Sequence, residues 1–332
     1  MNVGRSQGSD AKMENGRLKV LFAGTPEIAV PSLRAIASEF EVAAVLTNPD
    51  KPGARGRTLI PPPVKQAALE LGLPVLQPER LLGDAREAVS LYHPDFLVSF
   101  AYGRLFGPRF LTLFGRGAVN IHPSLLPLCR GCAPIQNTIL RGDSETAVSV
   151  QCIARQMDCG DLFYVDRFPL DGTETTPALT DFISRRAARA IVHVLHGIES
   201  GTLTPVPQQG DATYTKMVCK EDGVIDWHES AKTIHAKVRA LLPWPKATTS
   251  LDGTPLMLTG VVGPLSEAGS DPVPDGVLPG TVVRFQKGKG IAIACSDGLL
   301  WVDHLQLAAR KELDWQSFLN GNSSFMGSVL GG

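Results

Sequence analysis

The order of apolar segments indicates an α/β protein: a doubly wound, mostly parallel, Rossmann-like sheet followed by a small OB-like β-barrel. Short, mostly apolar runs such as LKVLFAGT (18–25) and DFLVSFA (95–101) have the composition of strands buried on both faces. They alternate with segments of helical periodicity, the pattern of a parallel sheet with crossover helices. Beyond residue 212 the apolar runs stay short and are separated by glycine turns, as in a small barrel. The 332 residues, 43% hydrophobic and 20% charged, suit about two domains. The expected division is a flexible leader over 1–16, a catalytic domain over 17–201, a linker over 202–212 and the barrel over 213–332.

The first strand, LKVLFAGT, ends at Gly-Thr-Pro and leads into a helix through VPSLRAIASEF. EVAAVLT is a second strand. PVKQAALELG has helical periodicity and stops at Gly72, a residue suited to a helix terminus. PVLQP, DFLVSFA and GAVNIH supply three more strands, and AVSVQCIARQ and LFYVDRFPL read as two adjacent ones. LTDFISRRAARAIVHVLHGIESG is one long helix closing the domain. Composition then shifts to Pro, Gln, Gly and Thr, a linker signature. GVIDWHESAKTIHAKVRALLPWP predicts a helix stopped by Pro243. PLMLTGVV, GTVVRF, GIAIACS and GLLWVDHLQL predict barrel strands, with a turn-rich loop, GPLSEAGSDPVPDGVLPG, among them.

Composition narrows the functional classes. The formal net charge is −1, so no global field attracts a polyanion, and a nucleic-acid partner needs a local basic patch. No run of roughly 18 apolar residues is present, so no membrane span is expected. The opening MNVGRSQGSDAKMENGR has neither an apolar signal core nor an arginine-rich amphipathic transit pattern, which favours the cytoplasm. The six cysteines have no framework spacing and read as reduced thiols. Cys129 and Cys132 form a lone C-x-x-C without a second ligand pair, so no metal site is expected.

The stretch VNIHPSLLPLCRGCAPI (119–135) carries the candidate chemistry. Asn120 and His122 sit at the end of an apolar strand. Strand alternation puts them on one side of the chain, and Pro123 keeps His122 extended. An amide that donates to a developing oxyanion, beside an imidazole that handles a proton near neutral pH, suits acyl transfer. A purely structural Asn-x-His fits the same residues. QMDCGD supplies two carboxylates, Asp158 and Asp161, which either orient the imidazole or form a plain turn. PDKPGARGRTLIPPP places Lys51, Arg55 and Arg57 among glycines and prolines, either a solvated loop or a basic one that follows phosphates. Lys216, Lys220, Lys237, Arg239, Lys246, Lys287 and Lys289 make a candidate basic face on the barrel, or are ordinary solubilising charges. Trp227 and Trp244 read as packing anchors.

Taken together, FAGTPE, LTNPDKPGARGRTLIPPPVK, GLPVLQP, NIHPSLLPLCRGCAPI and DATYTKMVCKEDGVIDW…PWP resemble the methionyl-tRNA formyltransferase family, in matching order and over nearly the whole chain after the leader. The Asn-x-His-x-Ser-Leu-Leu-Pro element alone points only to the wider folate-dependent formyltransferases. The resemblance implies 10-formyltetrahydrofolate as donor, the α-amine of methionyl initiator tRNA as acceptor, and no obligate protein partner. It implies Asn120, His122 and Asp158 as catalytic residues, with Asp158 holding His122 in one tautomer and Asp161 as the alternative carboxylate. It places the folate near Phe100, Ala101, Tyr102 and Gly103 and near Ser124, Leu125, Leu126 and Pro127. It gives the loop with Lys51, Arg55 and Arg57 a contact with the acceptor arm. The chain departs from the family pattern at CIAR, before the carboxylate element, and at Leu128, where relatives tend to carry a basic residue; Arg130 is the nearest replacement. Other members of the same fold formylate small amines or sugars. A non-enzymatic RNA-binding protein is the remaining alternative.

Overall fold

The computed structural model describes residues 17–53, 58–263 and 271–331. The leader, Arg55, Arg57 and part of the turn-rich loop lie outside the described residues.

In the first domain the chain forms β1 (Lys19–Gly24), α1 (Val30–Glu39), β2 (Glu41–Leu46), the short pair β3 (Lys51–Pro52) and β4 (Leu59–Ile60), α2 (Pro63–Glu70), β5 (Val75–Leu76) and α3 (Gly83–Ser90). It continues through β6 (Phe96–Phe100), α4 (Pro108–Leu111), β7 (Gly117–His122), β8 (Arg130–Gly131), α5 (Pro134–Arg141), β9 (Glu145–Cys152), β10 (Leu162–Pro169) and α6 (Thr176–Glu199). The seven-stranded sheet has the order β10-β9-β7-β6-β1-β2-β5. β5, β2, β1, β6 and β7 run parallel, and β9 and β10 add antiparallel at the β7 edge.

Both faces of this sheet are covered, which explains the mostly apolar strands. On β1, Val20 and Phe22 face α1 and α6, where they meet Leu33, Ile36, Ile183 and Ile191. Leu21 and Ala23 face the opposite way, toward Val89 of α3 and Phe110 of α4. Strand order reverses between β1 and β6, the place where open α/β sheets bind ligands beyond their carboxyl ends. There the Asn48 amide donates to Thr25 Oγ1 (3.0 Å) and to the Tyr102 carbonyl (2.9 Å), tying together the loops after β2, β1 and β6.

The second domain holds β11 (Tyr214–Thr215), α7 (Ala231–Ala240), β12 (Ala247–Leu251), β13 (Thr254–Val261), β14 (Val282–Gln286), β15 (Gly290–Ala294), β16 (Leu299–Leu307), β17 (Leu313–Asp314) and α8 (Trp315–Gly321). Its antiparallel sheet has the order β12-β13-β16-β15-β14, with β17 on β16. Residues 327–331 join the two outer strands. Val282 N–H donates to the Ser328 carbonyl (2.9 Å), Leu330 N–H to Gly280 (2.9 Å), and Gly331 N–H to Ser250 of β12 (3.0 Å). The sheet is thereby drawn into a barrel around Leu256, Leu258, Ile291, Ile293, Val302 and Phe325.

Two local expectations are corrected. The helix predicted from Gly223 onward begins only after Ser230, whose Oγ caps Thr233 N–H at 3.0 Å. Asp226 Oδ1 accepts from His228 N–H (2.9 Å), a local turn that competes with helix, and Ile225 N–H goes to Thr248 of β12 (2.9 Å). Trp227 is an anchor, buried with its Nε1–H on Thr249 Oγ1 (3.1 Å). Trp244 is not: it is 58% exposed, because the chain has left the buried face of α7 at Leu241 and swings outward before β12.

The domains meet through α5 and α7. Thr176 Oγ1 donates to the Ala240 carbonyl (2.6 Å), and Arg239 Nη1 to the Glu174 carbonyl (2.9 Å). A cavity of about 330 Å³ at this junction is lined by Arg141, Asp171, Glu174, Lys232, His235 and Arg239, away from the Asn-x-His element.

Candidate active site

Alternation along β7 sends Val119 and Ile121 into the core beside α6, and Asn120 and His122 to the other side. Across β9, Asn120 stands opposite Gln151 and His122 opposite Ser149. The loop after β9 returns Asp158 to this pair. Asn120 Nδ2 lies 3.5 Å from Asp158 Oδ1, and His122 Nδ1 lies 3.6 Å from the same oxygen, with the imidazole and carboxylate side chains 5% and 11% exposed. The structure therefore brings Asn120, His122 and Asp158 into one cluster. Asp161 is exposed, and its backbone carbonyl accepts from Cys152 N–H at 2.8 Å.

The carboxylate is held mainly by groups that sequence reasoning missed. Gly131 N–H donates to Asp158 Oδ2 (2.8 Å) and Gln151 Nε2 to Oδ1 (2.9 Å). The tautomer of His122 is set by a backbone carbonyl and not by Asp158: Nε2 lies 2.9 Å from Cys129 O, which can only accept. The neutral ring thus carries its proton on Nε2 and turns the Nδ1 lone pair toward the carboxylate.

The segment 202–212 is strapped to the site. Val206 and Leu162 exchange backbone hydrogen bonds (2.7 and 3.0 Å). Gln208 Nε2 donates to the carbonyls of Asp158 (2.9 Å) and Gly160 (2.8 Å), while its Oε1 accepts from Arg130 Nη2 (2.7 Å). Arg130 Nη1 donates to Tyr214 Oη (3.1 Å), and β8 pairs in parallel with β11. The second domain's entry strand is in this way part of the rim around the Asp158 carboxylate.

Left-handed backbone at non-glycine residues gathers here: Ala101 (φ 50°), Cys129 (φ 57°), Ala133 (φ 51°) and Asp158 (φ 55°). Each such residue costs on the order of 1–2 kcal/mol, and such strain collects at functional sites. Gly160 shows how tight the loop is, because a Cβ there would lie 1.8 Å from the Cys152 carbonyl.

The residues assigned to the folate line two loops at the carboxyl ends of β6 and β7. Phe100, Tyr102, Ser124, Leu126 and Pro127 are buried. The Tyr102 ring stacks on Phe106 (5.4 Å), and Ser124 Oγ donates to Leu128 O (2.7 Å). Ala101 and Gly103 are exposed and Leu125 is half-buried, so the accessible surface belongs to them. Of the basic residues, Lys51 is exposed on β3, and the chain just before it is fixed by Asp50, whose carboxyl Gln77 and Lys65 hold below its ordinary range. On the second domain Lys216, Lys220 and Lys287 are exposed. Arg239 is only 7% exposed, Lys237 pairs with Glu229 (2.8 Å), and Lys289 lies over Trp301, so the expected continuous basic face is reduced. Burial pushes the Cys129 thiol up, the reverse of an activated C-x-x-C pair.

Comparison with known proteins agrees with this architecture. The family model described as formyl transferase matches residues 17–195, and the model of the formyl transferase C-terminal domain matches 217–323. Both halves are those of a formyl transferase. Methionyl-tRNA formyltransferase of Treponema pallidum (strain Nichols) is 41% identical over 323 residues, covering 95% of this chain and 99% of that protein. The enzyme of Methylococcus capsulatus is 38% identical over 309 residues, covering 92% and 97%. The chain belongs to the methionyl-tRNA formyltransferase family. Among solved structures, HypX from Aquifex aeolicus in complex with tetrahydrofolic acid superposes with a TM-score of 0.61 at 18% identity, covering 94% of this chain and 48% of that one. The N-formyltransferase from Helicobacter canadensis, in complex with folinic acid and dTDP-3-aminofucose, gives 0.63 at 18% identity, covering 89% and 100%. At that identity these two share the fold.

Proposed function

We propose that this protein transfers the formyl group of 10-formyltetrahydrofolate to the α-amine of methionyl initiator tRNA, in the cytoplasm. The observation that carries the reading is the convergence of Asn120, His122 and Asp158 on one carboxylate oxygen, at the carboxyl end of β7. Full-length similarity to methionyl-tRNA formyltransferases supports the choice of acceptor.

The amine attacks the formyl carbon, a C–N bond forms, and negative charge gathers on the formyl oxygen. Asn120 Nδ2 lies 3.5 Å from Asp158 Oδ1, and in this reading its other N–H donates to the formyl oxygen; one such donor is worth about 3 kcal/mol. The amine's proton passes to His122 Nδ1, which the Nε2–H···O=C bond to Cys129 leaves as the unprotonated ring nitrogen, and Asp158 stabilises the resulting imidazolium. When the formyl carbon–nitrogen bond of the donor breaks, the folate nitrogen takes up a proton in turn. Ala101, Gly103 and Leu125 flank the folate, and Lys51, Arg55 and Arg57 follow the acceptor arm. Steady-state formylation by Asn120→Ala, His122→Ala and Asp158→Ala should fall by about 100-fold or more. Near-normal turnover in any one of them removes its assigned role.

A further inference from the structure

Tyr214 has no part in the cluster just described, yet it stands at its rim. The ring is 67% exposed and held in place. Its Oη accepts from Arg130 Nη1 (3.1 Å) and lies 3.8 Å from the Sγ of Cys159, the residue after Asp158. Arg130 Cζ sits 5.8 Å from the ring centroid, and Gln208 Oε1 fixes the guanidinium through Nε (3.2 Å) and Nη2 (2.7 Å). The backbone beneath is equally fixed. β11 pairs with β8, Thr215 Oγ1 donates to the Cys132 carbonyl with the Arg130 carbonyl also within reach, and Gly131 of the same ribbon donates to the Asp158 carboxylate.

An exposed aromatic side chain held by three layers of hydrogen bonds is organised for something outside the protein. The guanidinium stands at the hydroxyl edge of the ring and leaves the exposed ring free to be stacked upon. An ordered aromatic face is what a nucleobase stacks on, at little entropic cost because the platform is already immobile. The acceptor carries its amine on an ester of a terminal nucleoside, so the amine and a base are necessarily close together. We propose that Tyr214, braced by Arg130 and Gln208, is the platform on which the 3′-terminal base of the acceptor strand stacks, which positions the ester over Asn120, His122 and Asp158. This rests on the acceptor being an aminoacyl-RNA. Tyr214 is a positioning residue: it sets where the amine lies and takes no part in proton transfer. Arg130 fixes the ring through its hydrogen bonds to Tyr214 and Gln208.

The test is a four-rate cycle of kcat/KM. Wild type and Tyr214→Ala are each assayed with intact methionyl-tRNA and with methionyl-tRNA whose terminal nucleotide lacks its base. Each single change should lower kcat/KM roughly tenfold or more, as loss of one base–aromatic stack does, and the two together should cost no more than either alone. Losses that multiply, or an unaffected Tyr214→Ala enzyme, overturn the proposal. Tyr214→Leu and Tyr214→Phe repeat the cycle at similar apolar bulk: Phe should keep most of the coupling and Leu should lose it, and equal behaviour of the two overturns it. A wild-type enzyme that fails to formylate intact methionyl-tRNA refutes the functional reading itself, a result distinct from absent coupling.

Discussion

The carboxylate at Asp158 depends on a residue with no side chain. Gly160 passes so close to Cys152 that even a methyl group would displace the loop, and the loop is already held with Asp158 at φ 55°. Gly160→Ala should lower stability by about 1–3 kcal/mol and turnover by about tenfold or more, measured by thermal melting and formylation of methionyl-tRNA. A variant with wild-type turnover would show that the loop does not position the carboxylate. The contrast between residues explains what could be read beforehand. That Asn120 and His122 share one side of the chain was legible because their strand has a period of two, whereas Asp158 was singled out over Asp161 only through the family resemblance. Gln151, Gln208, Arg130 and the Gly131 N–H were not legible, because their roles arise from hydrogen bonds between segments far apart in the chain. The Cys129 carbonyl that sets the His122 tautomer is backbone and leaves no trace in residue type.

Among the elements, the apolar strands and the long α6 were legible because burial on both faces, or on one helical stripe, is written in composition. α5 and β12 were not singled out: PIQNTILR is short, and ATTSL is polar, and each is fixed by packing against its neighbours. α7 carries a consequence for acid stability. His235 Nε2 donates to the Gly263 carbonyl (2.7 Å), and Nδ1 accepts from Arg239 Nε (3.1 Å), so the Nδ1 side requires the neutral ring. Burial, then the Arg239 charge, lowers its pKa from 6.5 to about 4. The folded state therefore resists a proton that the unfolded chain accepts. The contribution is intact above pH 6.5 and is lost as pH falls through 6.5 toward 4, on the order of 3 kcal/mol over that window. Urea unfolding of His235→Gln should show a flatter pH dependence between 6.5 and 4 than wild type. An unchanged slope would mean that other groups govern acid unfolding.

At the scale of the whole molecule, two domains share the rim around Asp158. Gln208 and Tyr214, which lead into the second domain, hold the loop and ribbon around the first domain's carboxylate. The two-domain plan was visible in the change of strand pattern, but the strap was not, since a run of Pro, Gln, Gly and Thr reads as loose chain whether or not something binds it. The barrel poses a different question, because its last wall is residues 327–331, bonded on one side to Gly280 and Val282 and on the other to Ser250. Removing residues 327–332 should leave two uncovered strand edges, and size-exclusion chromatography should then show self-association, where a monodisperse profile like the parent's would contradict it. Such a stave belongs covalently to neither neighbour. It can be withdrawn and replaced, and a synthetic peptide of that sequence, added to the shortened protein, is the natural plug.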